Sequence, residues 1–307
     1  MPPLPAPLPE PFAGRPFLVG DALRAGVSPA RVRARDLVAP FRGVRADAAH
    51  DLQSIAAAYA TRMPPHHSYG GTTAARLWGL PLPDDWSADE PLVIARPNGS
   101  TRGRSAGTRH IAIDADRLRS VSHHGLRLLA PGATALTLAR ELPHERLVHV
   151  VDALLTGSTR YPDLDLPKRP YATIEVLLDF LDDCRRLRGA RALRAAADDA
   201  RAGVDSRFES ITRRVIVRAG LPEPEVHPLV VVDGVRLHPD LGYPALRIAV
   251  EYEGEGHLDP KRWADDILRH EMLEAAGWIV VRITKADVAG SGVRCARRVR
   301  AALARRA

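Results

Sequence analysis

The chain has 307 residues, 45% of them hydrophobic and 26% charged, enough for two or three domains that each bury a core. No apolar run reaches the roughly eighteen residues that a membrane span needs. The net charge of +7 favours a polyanionic partner, but all the basic residues except Lys168, Lys261 and Lys285 are arginine, a bias that codon composition explains as well as nucleic-acid binding does. Met1 to Glu10 is proline-rich and lacks the pattern of a secretory signal. Cys184 and Cys295 lie far apart without metal-ligand spacing, as expected of unpaired thiols in the cytoplasm.

The first block runs to about His50. Leu18 to Arg24 suits a helix ended by Gly26. Ser28 as N-cap and Pro29 at the first helical position predict a second helix to about Leu37. Phe41-Arg42-Gly43-Val44-Arg45 reads as a short strand or wing. In the second block, helices are expected over 51–63, within 68–82, over 133–142 and over 147–155, with short strands over 92–95 and 110–113. His66-His67 and His123-His124 are adjacent pairs, poor geometry for a shared metal, and read as loop residues. The Gly, Pro and Asp of 156–170 mark a linker, and a helical stretch over 174–197 follows.

The third block carries the chemistry. A helix opens at Phe208-Glu209-Ser210-Ile211 and Gly220 stops it. Leu229 to Val232 and Val235 to His238, joined by Asp233-Gly234, predict a β-hairpin. The chain passes Pro239-Asp240, is expected to turn near Gly242-Tyr243-Pro244, and enters a strand from Arg247 to Glu253. Alternation puts Ile248, Val250 and Tyr252 on one face and Glu251 and Glu253 on the other. Asp240, at the end of the preceding strand, joins them if the two strands pair. The three acids by themselves fit either a solvent-facing strand side or a site for a hard divalent cation such as Mg2+ or Mn2+, which offsets their mutual repulsion. A helix over 263–276, ended by Gly277, and a strand over 278–283 complete the order helix, hairpin, carboxylate strand, helix, strand.

Asp240, the eleven-residue step to Glu251, Glu251-Tyr252-Glu253-Gly254 with His257 after it, and the Arg269, Gly277-Trp278 and Arg282 tail resemble an uncharacterised bacterial family. Its domain is similar to the very-short-patch-repair endonucleases of the PD-(D/E)XK nuclease superfamily. The resemblance covers roughly residues 205–290 and implies a restriction-endonuclease-like mixed sheet flanked by helices. It implies Asp240 and Glu251 as metal ligands with Glu253 beside them, Glu209 as a supporting carboxylate, and His257 as a general base or phosphate contact. The superfamily's usual lysine is replaced by Glu253, which cannot serve as a cation toward phosphate or water.

Residues 22–33 and 41–44 resemble the winged helix-turn-helix of abortive-infection type IV antitoxins, and Thr73 to Pro81 resembles those proteins' middle domain. The resemblance implies duplex DNA as partner, with Arg31 and Arg35 on a recognition helix and Arg42 and Arg45 on the wing, and it allows a homodimer or a toxin partner. A solvated arginine face on a protein-interaction module stands beside that reading. The tail 294–306, with six arginines, reads as a terminal helix with a basic face. The expected architecture is α/β, α+β overall: winged helix over 1–50, mixed α/β middle domain over 51–155, linker and helical connector over 156–204, nuclease-like domain over 205–290 and basic helix over 291–307. The expected activity is metal-dependent DNA hydrolysis. The alternatives are a non-enzymatic DNA-binding regulator or antitoxin-like protein that keeps the nuclease fold, and a module acting on RNA.

Overall fold

A computed structural model describes residues 5–101, 105–158, 169–254 and 260–306, with the backbone alone at 260–266. The chain has a mixed α/β fold of α+β type and divides into two compact units, 1–142 with 180–191 and 143–179 with 192–307.

In the first unit, β1 (Phe17–Leu18) pairs antiparallel with β2 (Val44–Arg45), and α1 (Val19–Arg24) follows β1 directly. Where a helix was expected over 29–37 there is a single 3-10 turn, Arg31–Arg33, and Ala34 is extended with ψ 149°. The reason lies in the core. Val32 and Leu37 both pack with Phe12, Phe17, Ala22 and Val27, and residues five apart point about 140° away from each other on a continuous helix. Breaking the helix lets both reach the same core. Next come α2 (Leu52–Ala60), capped by Asp51 and Ser54, then β3 (Ser68–Tyr69), α3 (Gly71–Leu77), β4 (Leu92–Pro97) and β5 (Thr108–Ile113). The strands β6 (Ser120–His123) and β7 (Leu126–Leu129) form a hairpin in a stretch where the sequence pattern predicts no strand. The sheet order is β5-β4-β3-β7-β6, and α4 (Pro131–Leu138) packs on α3.

Next in the chain is α5 (His144–Leu155). The helical stretch expected over 174–197 is two helices, α6 (Ile174–Asp183) and α7 (Ala190–Asp199). Helix α8 (Arg207–Arg218) has Ser206 as its N-cap. A four-stranded sheet follows from β8 (Glu225–Val226), β11 (Leu241–Tyr243), β12 (Ile248–Glu253) and β13 (Ile279–Thr284), in the order β13-β12-β11-β8. The expected hairpin forms as β9 (Val230–Val232) and β10 (Val235–Leu237), a separate two-stranded ladder. Helix α9 (Pro260–Ala275) crosses between the parallel neighbours β12 and β13, and α10 (Lys285–Val288) and α11 (Val293–Ala304) close the chain.

Alternation along β12 and β13 sorts the layers. Ile248, Val250, Val281 and Ile283 face Val215 and Ile216 of α8 and Cys295 and Val299 of α11. Ala249 and Val280 face Leu273 of α9 and Val230, Val232 and Leu237 of the hairpin. Strand β12 therefore carries helices α8 and α11 on one side, α9 and the hairpin on the other. Asp240 does not end β10 in this sheet, as its position after His238 suggested. It immediately precedes β11, a strand hidden in what reads as the turn Gly242-Tyr243-Pro244. Glycine gives the close approach its room: a Cβ on Gly242 would lie 3.0 Å from Pro228 and 3.1 Å from the Ile248 carbonyl oxygen, so a larger residue would have to push these neighbours back by a few tenths of an ångström. No helix among the described residues is long and apolar enough to cross a membrane.

Candidate functional site

Register builds the site. Leu241 lies opposite Val226 on β8 and Val250 on β12, so one residue earlier Asp240 falls opposite His227 and Glu251. The His227 N–H donates to the Asp240 carbonyl at 3.1 Å, which extends the β8–β11 ladder by one residue. Glu251 in turn lies opposite Arg282 on β13. His227 and Asp240, each one residue outside its strand, thus line up with Glu251 of β12 and Arg282 of β13. Directly opposed residues in an antiparallel pair share a face with Cβ atoms about 4.5–5.5 Å apart, so Asp240 and Glu251 stand side by side on the α9 side of the sheet. Two like charges at such a position are costly unless something neutral or cationic intervenes.

The surroundings show that cost. The Asp240 residue surface is half-buried, but its carboxyl group is enclosed by protein. Burial first, then the charges of Glu251 and Glu209, push its proton affinity well above the ordinary carboxylate value. The Tyr252 N–H, donating to Asp240 Oδ2 at 2.8 Å, and the charge of Arg269 act the other way and do not prevail. Glu251 is only 2% exposed, and its Oε2 accepts from Arg269 Nη2 of α9 at 3.0 Å.

Glu209 arrives from the first turn of α8. The Ser206 hydroxyl caps that turn by accepting the Glu209 N–H at 3.2 Å, and Glu209 Oε2 accepts the Asp205 N–H at 2.7 Å. The same oxygen lies 3.0 Å from His227 Nε2, and Asp205 Oδ1 lies 3.8 Å from that nitrogen. Burial lowers the proton affinity of His227, but the hydrogen bond to Glu209 and the charges of Glu209, Asp205 and Asp240 outweigh it, so the imidazole's pKa is raised.

Of the residues singled out in the sequence, the fold brings Asp240, Glu251 and Glu209 into one electrostatic neighbourhood. Glu253 is placed otherwise, half-buried with Oε1 3.5 Å from Arg282 Nε. His257 lies outside the described residues. His227 and Asp205 were missed, and Arg269 appeared only as part of the resembling tail. A histidine at the end of a two-residue strand carries no periodic signal that could have found it. In the first unit, both terminal nitrogens of Arg31 are held by the Asp36 carboxylate at 2.8 and 3.0 Å, and Arg45 donates to the Val32 and Val44 carbonyls at 2.8 and 2.9 Å. The premise that Arg31 and Arg35 share a helical face falls with the helix. Arg35 and Arg42 are exposed.

Among the described residues no group of three or more His, Cys, Asp or Glu is arranged to hold a metal ion. The chemistry of the donors still suits a hard cation. Two opposed, buried carboxylates whose charges disfavour each other would be relieved by one, and Mg2+ binds in this way, through one or two carboxylates with water and phosphate completing its shell. Arg269 already supplies one positive charge at Glu251 Oε2, so an ion would share that oxygen or displace the guanidinium.

No protein-family model matches the chain. Two proteins of Mycobacterium tuberculosis are similar to it, uncharacterized protein MT2308 of strain CDC 1551 / Oshkosh and uncharacterized protein Rv2248 of strain ATCC 25618 / H37Rv. Each is 30% identical over 271 residues, an alignment spanning 88% of this chain and 93% of the relative. An identity of that level carried across both units and nearly the whole of each relative places this chain in one family with MT2308 and Rv2248.

Proposed function

We propose that the chain is a metal-dependent nuclease of restriction-endonuclease-like architecture that hydrolyses phosphodiester bonds in duplex DNA. The observation that carries this reading is the opposition of Asp240 and Glu251 on one sheet face, with Glu209 near enough to raise the proton affinity of Asp240. The layered arrangement of α8, the mixed sheet and α9 supports it, as does the position of Asp240 at a strand start.

In this reading Asp240 and Glu251 hold a Mg2+ or Mn2+ ion, which when bound supplies a polarised water and neutralises charge developing on the phosphate. The protein's own groups do the rest. The Tyr252 amide fixes Asp240 Oδ2 so that the carboxyl cannot rotate freely. Glu209 orients His227 and keeps a proton available at Nε2. In this reading Arg269, which donates to Glu251 Oε2, supplies the positive charge that Glu253 cannot. In the first unit, Arg42 of the expected wing and Arg35 of the expected recognition helix are exposed, and in this reading they are the side chains left to contact DNA, since Arg31 and Arg45 are tied internally. The buried, unpaired state of Cys184 and Cys295 supports a reducing, cytoplasmic setting.

Incubating supercoiled and linear duplex with the full chain and Mg2+ or Mn2+ tests the proposal. The wild type should nick or cut, and Asp240→Asn and Glu251→Gln should each lose at least about 100-fold in rate, the scale of removing one metal ligand or its support. Cleavage that survives Asp240→Asn removes the assignment. A second reading, a DNA-binding regulator on a nuclease fold, is favoured by the Arg269 hydrogen bond to Glu251 Oε2, where a built-in cation already answers the carboxylate. Tight duplex binding without cutting in either metal would select it.

A further inference from the structure

On the face of β12 opposite Asp240 and Glu251, a cavity of about 340 Å3 opens between α8 and α11. Arg218, Arg297 and Arg300 line it together with Ser291, Val215, Ala219, Val293 and Ala296. No acid is among the lining residues. Several other arginines of this unit are answered by carboxylates: Arg201 and Arg213 by Glu223, Arg214 by Glu145 and Asp199, Arg298 by Asp287. Among the described residues no carboxylate pairs with Arg218, Arg297 or Arg300, although Arg300 Nη2 is tethered to the Ala219 carbonyl at 3.4 Å. Three guanidinium groups around one concavity repel each other, and the low-dielectric wall behind them concentrates their field.

Gly292 lets the walls meet. It sits in the left-handed region with φ 71°, and a Cβ there would come within 2.5 Å of Val215 Cγ1, so only glycine allows the turn before α11 to close on α8. Tight packing of α11 on α8 fixes the floor of the cavity at Val215 and Ala296, and the exposed side chains of Arg218, Arg297 and Arg300 form its rim.

We propose that this cavity is an anion site for a phosphate-bearing ligand, held by the forked donors of Arg218, Arg297 and Arg300 with the Ser291 hydroxyl beside them. Arginine suits phosphate because its planar donors match two phosphate oxygens at once. The volume lies at the lower end of small-molecule sites, about 300–1,000 Å3. The apolar wall of Val215, Ala219, Val293 and Ala296 can cover the organic part of a nucleotide, and the same guanidinium groups can take one phosphate of a nucleic-acid backbone. Phosphate recognition is common to both sources. The site is separate from the carboxylate row and does not depend on the nuclease reading.

Calorimetric titration of the full chain in metal-free buffer tests it, with sodium pyrophosphate, deoxyadenosine monophosphate and a twelve-base-pair duplex as probes. Saturable binding is expected, and Arg218→Gln with Arg297→Gln should weaken it by about tenfold for each arginine removed. Val293→Asp, which sets an acid on the rim at a 67% exposed position, should weaken it as well. Asp240→Asn should leave the two small-probe affinities unchanged, which separates this site from the carboxylates. A nucleotide site holds the monophosphate in preference to pyrophosphate, whereas a backbone site holds the duplex and discriminates little between the small probes. Failure of the wild type to bind any of the three, or equal affinities in the double arginine variant with an unaltered circular-dichroism melt, overturns the proposal.

Discussion

Asp240 is a buried acid made reluctant to ionise by burial and by two neighbouring carboxylates, and this has a consequence for stability. Its proton affinity is higher folded than unfolded, so the folded state binds more protons over the window above the ordinary value of 3.8. The stabilisation it lends is complete below that value and is lost as pH rises through the raised one. His227, also raised, has the same sign from its own ordinary value of 6.5 upward. A cation binding at Asp240 must expel the proton, so metal should stabilise the protein more at pH 8 than at pH 5. At a concentration 100 times its Kd a bound ion contributes about 2.7 kcal/mol, or several degrees in Tm for a unit of this size. Thermal melts at both pH values with and without Mn2+ measure this, and Asp240→Asn should flatten the pH dependence and abolish the metal response. An equal Mn2+ shift at both pH values, or one retained by the Asn variant, would place the ion elsewhere.

At the scale of elements, α8 links the candidate site to the packing that supports it. Its first turn carries Glu209, and its middle carries Arg213, a fully buried side chain whose Nη2 lies 3.1 Å from Asp152 Oδ2 on α5. Arg213 also donates to Glu223 and to the Asp199 carbonyl. Burial raises the proton affinity of Asp152, and the charge of Arg213 opposes that rise most strongly. Arg213→Ala would leave this carboxylate buried and unpaired, so it should lower the unfolding free energy by about 3–5 kcal/mol in urea titrations. Asp152→Asn combined with Arg213→Met should recover much of the loss, since neither polar partner is then left as a lone charge. A cost of under about 1 kcal/mol for Arg213→Ala would mean the pair is solvated. The sequence identified the apolar positions Ile211, Val215 and Ile216 of α8, its opening near Phe208 and its stop at Gly220, but not the Ser206 cap. It did not reveal that Arg213 and Arg214 are buried, because a charged residue in a helix reads as solvent-facing until its partner on another element is known. The β6–β7 hairpin escaped for a related reason: its turn, His124-Gly125, lacks the Asn-Gly or Asp-Gly pair that marked the β9–β10 turn.

For the whole molecule, the net charge of +7 is a weak guide to partners because so many arginines are already spent on internal pairs. Arg31, tied to Asp36, and Arg45, tied to backbone carbonyls, are expected to act on stability more than on DNA affinity. Arg35→Gln with Arg42→Gln should instead lower duplex affinity and reduce the slope of log K against log salt by about 0.9 for each phosphate that is no longer neutralised. Fluorescence anisotropy at several salt concentrations measures that slope. An unchanged slope in the double variant would move phosphate binding away from the first unit.

Local order was written into the chain in the form that periodicity and caps can express. The strand from Ile248 to Glu253, the β9–β10 hairpin, α9, β13 and the bounds of α8 follow from alternation, helical spacing and punctuating residues, each a property of neighbours in sequence. The broken helix after Ser28, the strand at Leu241–Tyr243, the pairing of Arg213 with Asp152 and the meeting of His227, Asp240, Glu251 and Arg269 were decided only in three dimensions. They depend on which strand lies beside which and in what register, and on which charges find partners across helices. Those are energies of interaction between residues distant in sequence, which no local pattern encodes.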